Sequence, residues 1–152
     1  MFKLKKRKAL IWNGPNNIGL SELIIPKIKK NEALLKVKTC CICGSDIRTF
    51  KYGNKRVKKG QILGHEISGV IIDKGSGVKN FKCGDKVSIG ADIPCESCKN
   101  CKAGRSNNCD INLAIGYQLE GGLTEYMVLN NLLLKNGPIV KINKFNNFDL
   151  AS

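Results

Sequence analysis

Cys95-Glu-Ser-Cys98-Lys-Asn-Cys101-Lys-Ala-Gly-Arg-Ser-Asn-Asn-Cys109 sets four cysteines at the spacing C-x2-C-x2-C-x7-C. A loop this short can wrap four thiolates around one tetrahedral ion. Zinc suits such a set, because thiolate is a soft ligand and four sulfurs close the site to water. Gly104 permits the sharp return turn, and Lys99 and Lys102 offset the anionic cluster. Disulfides and plain buried thiols are the competing readings, but neither favours such tight regular spacing. An iron–sulfur cluster is a weaker competitor: its usual run closes with a cysteine after three residues, followed by proline. Here seven residues intervene and Asp110 follows.

The surrounding chain has 152 residues, 42% of them hydrophobic, which is enough for one globular domain with a core. Lys3, Lys5, Lys6, Arg7 and Lys8 precede an apolar run that extends only from Ala9 to Trp12. That run is too short for a signal peptide or a membrane span, so the expectation is a cytoplasmic chain with no membrane role. In that compartment eight cysteines read as metal ligands before disulfides. The formal charge is +14. Its lysines are scattered and no aromatic residues interleave with a basic stripe, so a solvated surface is favoured over a nucleic-acid face.

Strands are expected over Arg7 to Asn13, Leu20 to Pro26, Ala33 to Ile42, Ile67 to Asp73, Lys86 to Ile89, Gly121 to Val128 and Ile139 to Ile142. In the third, Leu35, Val37 and Thr39 alternate with Leu34, Lys36 and Lys38, the period of a half-buried strand. Ser45 or Asp46 is expected to cap a helical turn from Ile47 to Phe50. Lys51 to Gly60 reads as a basic loop, and Asn146 as the start of a helix. Many short strands separated by turns point to a mainly β, barrel-like domain.

The single histidine, His65, lies in Gly64-His65-Glu66 just before one expected strand, while Cys43 lies just after another. If those ends converge, a cysteine and a histidine make a partial zinc site with open positions, as catalysis requires. Asp46 can then accept from the other ring nitrogen and orient the imidazole.

Cys43-Gly-Ser-Asp46, Gly64-His65-Glu66, Gly84-Asp85-Lys86-Val87, the four-cysteine lobe and Gly121-Gly122-Leu-Thr-Glu-Tyr126 stand in the order found in zinc-dependent medium-chain alcohol/polyol dehydrogenases. The chain resembles the N-terminal catalytic part of that family over nearly its whole length. The resemblance implies a GroES-like, partly open β-barrel with short helices, spanning residues 1–152, with residues 95–109 as a structural zinc lobe. It implies a catalytic zinc on Cys43 and His65, with Glu66 beside it, binding directly or through water. The structural zinc falls to Cys95, Cys98, Cys101 and Cys109. Ser45 matches the hydroxyl that hands on the alcohol proton. Zinc acts as a Lewis acid on the alcohol, and hydride passes to NAD(P)+. The partners implied are a small alcohol or polyol and, for the parent enzyme, further copies of itself.

Some positions depart from that pattern. Arg48 stands where many relatives carry a relay histidine, and a permanently charged guanidinium is a poor proton shuttle. It faces a polar or anionic substrate, contacts cofactor phosphate, or is a surface residue. Cys40, Cys41 and Cys83 read as buried thiols. Gly44 argues by analogy for the polyol or threonine type. The sequence contains no G-x-G-x-x-G, the phosphate turn of a Rossmann domain. The expectation is therefore a catalytic-domain fragment, inactive alone, without its cofactor domain. Two other readings remain: a zinc-stabilised basic module that binds nucleic acid or a protein partner, and a zinc-free reductase of the same fold, against which the presence of both Cys43 and His65 speaks.

Overall fold

The computed structural model describes residues 5–142 and 147–152. A hairpin opens the chain, β1 (Lys6–Gly14) and β2 (Asn17–Ile24), turning through Asn16 in the left-handed region. The second strand thus begins before the expected Leu20. β3 (Ala33–Cys41) follows, then α1 (Gly44–Tyr52), β4 (Gln61–Ile62), β5 (Glu66–Lys74), β6 (Lys86–Ile89) and β7 (Asp92–Ile93). The cysteine lobe contributes α2 (Lys99–Lys102) and a 3-10 turn, Ser106–Asn108. β8 (Leu113–Ala114), β9 (Tyr126–Leu129), α3 (Asn131–Asn136) and β10 (Ile139–Lys141) complete the order.

All named strand pairs are antiparallel. One sheet runs β2-β1-β4, a second β10-β6-β5-β3-β9, and β7 pairs with β8. The mainly β class with short helices expected from the sequence is the class observed. Among the described residues no helix is long and apolar enough to cross a membrane.

The main core lies between the larger sheet and the segments around it. Leu35, Ile67, Ile71, Val87, Ile115 and Leu129 are fully removed from solvent, each contributing about 1.5–3 kcal/mol of burial. Lys36 and Lys38 point outward as the alternation predicts. Leu34 departs from it and is buried, because a bulge between Leu34 and Leu35 resets the register against β5. A second cluster joins Trp12, Val57 and Leu63, with Phe50, Tyr117 and Leu123 packed against it.

Several expectations need correction. Cys43, not Ser45 or Asp46, caps α1, and the helix continues through Lys51 and Tyr52 into the expected loop. Cys83 is exposed, not buried. The strand expected from Gly121 forms only from Tyr126. The helix expected from Asn146 begins outside the described residues, and its described part makes a turn at 149–151.

The β3–β5 register is what positions the site. Cys41 pairs with Glu66 and Cys40 with Ile67, so Cys43 and His65 emerge at the same end of neighbouring strands. Gly64, at φ +90°, permits the close approach there. A Cβ on it would stand 2.5 Å from the Cys40 sulfur and 2.9 Å from Leu123 Cγ.

Candidate metal centres

The four lobe cysteines converge, with sulfurs all within 4.8 Å of one another. Cys95 Sγ and Cys101 Sγ lie 4.0 Å apart. A tetrahedron with metal–sulfur bonds of about 2.3 Å has sulfur–sulfur edges of about 3.8 Å, so the set has the dimensions of a zinc site. A disulfide needs sulfurs about 2.05 Å apart, and all eight cysteines are free.

Local backbone prepares the lobe for anionic sulfur. Cys95 Sγ accepts from the Ser97 hydroxyl (3.4 Å), the Ser97 N–H (3.5 Å) and the Cys98 N–H (3.3 Å). The Ser97 hydroxyl, followed by the two backbone donors, lowers the Cys95 thiol to about 6. Cys109 Sγ accepts from the Cys95 N–H at 3.3 Å. Cys101 moves the other way, to about 12, through burial and then the neighbouring sulfurs of Cys98 and Cys109. Crowded thiols resist ionising together unless a cation joins them.

At the β3–β5 end a second group forms from Cys43, Asp46 and His65, whose ligand atoms also fall within 4.8 Å of one another. His65 Nε2 stands 3.3 Å from Cys43 Sγ and 3.4 Å from Ser45 Oγ, and Ser45 Oγ is 2.9 Å from Cys43 Sγ. Asp46 is buried and ties both segments together. Its Oδ2 accepts from the Cys43 N–H at 3.0 Å and its Oδ1 from the Gly64 N–H at 3.3 Å. The same Oδ1 is 3.6 Å from His65 Nδ1, beyond a hydrogen bond, and Nδ1 is a buried polar atom with no partner. The arrangement sets Nε2 and the Cys43 sulfur toward one point with a carboxylate behind the ring, a donor set that suits zinc.

Of the residues singled out from the sequence, Cys43, Ser45 and His65 are brought together. Glu66 is not in the converging group; it pairs across the sheet with Cys41. Arg48 is exposed on α1 and forms no ion pair among the described residues. Cys40 is partly buried, and desolvation, with Asp46, Cys41 and Glu66 adding negative charge, pushes its thiol up to about 12. Sequence reasoning missed Tyr117, whose ring centroid lies 5.9 Å from that of His65 at 53°. Its turn is held there because Gly116 packs on Gly64, where a Cβ would meet Gly64 N at 3.0 Å. Only the isolated Gly116-Tyr117 turn hinted at it.

With the geometry established, the relatives are informative. L-threonine 3-dehydrogenase of Pseudoalteromonas translucida (strain TAC 125) is 36% identical over 115 residues, covering 74% of this chain and 34% of that protein. The chain thus spans about a third of the length of this curated relative. Galactitol-1-phosphate dehydrogenase from Escherichia coli superposes with a TM-score of 0.81 at 29% identity, over 93% of this chain and 40% of that one. The structure described as short chain alcohol dehydrogenase rspB from Escherichia coli CFT073, complexed with NADH, gives a TM-score of 0.81 at 31% identity, covering 96% and 41%. The model of the alcohol dehydrogenase GroES-like domain matches residues 29–138, well over half the sequence, and the chain belongs to that family.

Proposed function

We propose that this chain is the zinc-carrying, substrate-side part of a dehydrogenase that interconverts a secondary alcohol or polyol and its ketone. The observation that carries the reading is the convergence of Cys43, Ser45 and His65 at one end of β3 and β5. Residues 1–152 act here as one catalytic domain with 95–109 as its structural lobe, and the nicotinamide dinucleotide is carried by a Rossmann unit outside these residues. Cys95, Cys98, Cys101 and Cys109 hold the structural zinc; Cys43 and His65, with Glu66 adjacent, hold the catalytic one. When bound at the second site, zinc supplies Lewis acidity that favours the ionised form of the substrate hydroxyl.

The protein groups divide the remaining work. Asp46 stands behind the His65 ring and, through Cys43 N–H and Gly64 N–H, keeps the two ligand-bearing segments in register. The Ser45 hydroxyl, beside both Cys43 Sγ and His65 Nε2, takes the alcohol proton and passes it on toward solvent. The Tyr117 ring stands beside that of His65, tilted at 53°.

Zinc titration of the metal-free chain tests this. One equivalent is expected to bind tightly at the four cysteines. A second, weaker equivalent should shift the imidazole resonances of His65, which are unambiguous because the chain has one histidine. Cys43→Ser should abolish the second event and leave the first. No alcohol-dependent NAD+ reduction is expected from the 152 residues alone. A single class of zinc that leaves His65 unmoved would refute the second site, and turnover by the chain alone would refute the division of labour.

A further inference from the structure

We propose that the substrate of this site carries an anionic group, a carboxylate or a phosphate, and that Arg56 is the residue that binds it. The proposal rests on reading the Cys43–His65 centre as the place where the substrate hydroxyl is held. From His65 the Tyr117 ring leads outward at 5.9 Å between centroids, and the Arg56 guanidinium lies over the same ring, 5.4 Å from its centroid. Three side chains thus form a continuous path from the centre to a fixed cation on the surface.

The placement of Arg56 is built into the fold. Val57 is buried in the cluster with Trp12 and Leu63, which pins the segment between α1 and β4. Asn54 Oδ1 accepts the Arg56 N–H at 2.9 Å, and Asn54 O accepts the Val57 N–H at 3.0 Å. The guanidinium itself donates through Nη2 to Asn112 O (3.0 Å) and Gln118 Oε1 (3.3 Å). Gln118 Oε1 is in turn fixed by the Ala114 N–H at 3.1 Å.

Both guanidinium partners are neutral, and no carboxylate pairs with Arg56 among the described residues. Its Nε and Nη1 donors form no hydrogen bond there. With Nη2 engaged on two neutral acceptors, Nη1 and Nε of Arg56 remain as separate charged donors, each able to make one charge-assisted contact to an oxyanion. The field around it has the same sign. Residues 51–60 carry Lys51, Lys55, Arg56, Lys58 and Lys59 and no acidic residue, which draws an anion toward this rim. A substrate with several carbons between hydroxyl and anion, such as a sugar acid or a polyol phosphate, matches the 5.9 Å and 5.4 Å steps that link His65 and Arg56 to Tyr117.

Three six-carbon probes test this on isotope-labelled, zinc-loaded chain: D-glucitol, D-gluconate and D-glucitol 6-phosphate. The Arg56 Nε–H and Tyr117 ring signals read the anion subsite, while the His65 imidazole reads the metal centre separately. At least one of the two charged probes is expected to shift Arg56 and bind tenfold or more tightly than glucitol, and which one does so identifies the anion. Arg56→Gln should remove that tenfold advantage and leave glucitol binding unchanged, and Arg56→Lys should keep part of it. Lys79→Gln, an equal charge change in the β5–β6 connection, should cost nothing. Equal binding of all three probes would overturn the proposal, as would equal losses in Arg56→Gln and Lys79→Gln, which indicate diffuse attraction. If zinc fails to move His65 in the absence of any probe, the reading of the centre falls first, and the proposal with it.

Discussion

Two cysteines of the same chain are driven in opposite directions by their surroundings. Cys40 sits under Gly64 and Gly122, where desolvation and nearby carboxylates hold it neutral, up to about 12. Cys95 faces three hydrogen-bond donors that stabilise its thiolate, down to about 6. Alkylation rate follows thiolate fraction and access. In metal-free protein at pH 7.5, iodoacetamide is expected to modify Cys95 first and Cys40 last, with initial rates differing by more than ~100-fold. Cys83, which is exposed, should be modified well before Cys40. Peptide mapping after timed quenching gives the order; early labelling of Cys40 would contradict the burial described. The sequence named all eight thiols, but their different chemistry depends on what each one touches.

Elements of four or more residues were largely legible. The β-branched run of β5 and the alternation in β3 gave those strands, whereas β4, β7 and β8 have two residues each and carry no period to detect. Helix α3 escaped notice because Leu132, Leu133 and Leu134 read as a plain apolar run; its start is set by Asn130, whose side chain accepts from the Leu133 N–H. The turn before β6 shows how one carboxylate joins elements. Burial by itself would raise Asp85, but hydrogen bonds from Lys141 Nζ and the Lys82 N–H, both 2.9 Å, outweigh it and hold the carboxyl below its ordinary value. A group depressed in the folded state adds stability above its unfolded pKa, about 3.9, and loses it as pH falls through the folded value. Asp85→Asn is therefore expected to lower the urea midpoint at pH 6, with the gap from the parent closing below about pH 4. A gap that persists at low pH would mean that packing, not charge, is responsible.

Across the whole molecule, the two candidate metal centres depend on the fold unequally. The lobe contains α2 and the 3-10 turn, neither with a buried residue, so little apolar surface holds it together. The sheets, in contrast, share a continuous core. Chelation is expected to loosen residues 95–109 while the amides of β3, β5 and β6 keep their protection from exchange. Hydrogen exchange with and without zinc measures this, and loss of protection throughout the sheets would show that the lobe also supports the core.

The sequence alone determined the four-sulfur lobe, because its cysteines lie close along the chain and little loop entropy opposes their convergence. It also placed Cys43 and His65 at strand ends, since β-branched runs bounded by glycine mark where strands start and stop. Only the tertiary structure decided that Asp46 joins the Cys43 and Gly64 segments, that Glu66 lies outside the converging group, and that Tyr117 adjoins both His65 and Arg56. It likewise decided that Thr39, Cys41 and Ser68 anchor the last described residues through Asp149, Ser152 and Phe148. Those contacts join distant parts of the chain, and they follow from packing and β register, which no local pattern of residues encodes.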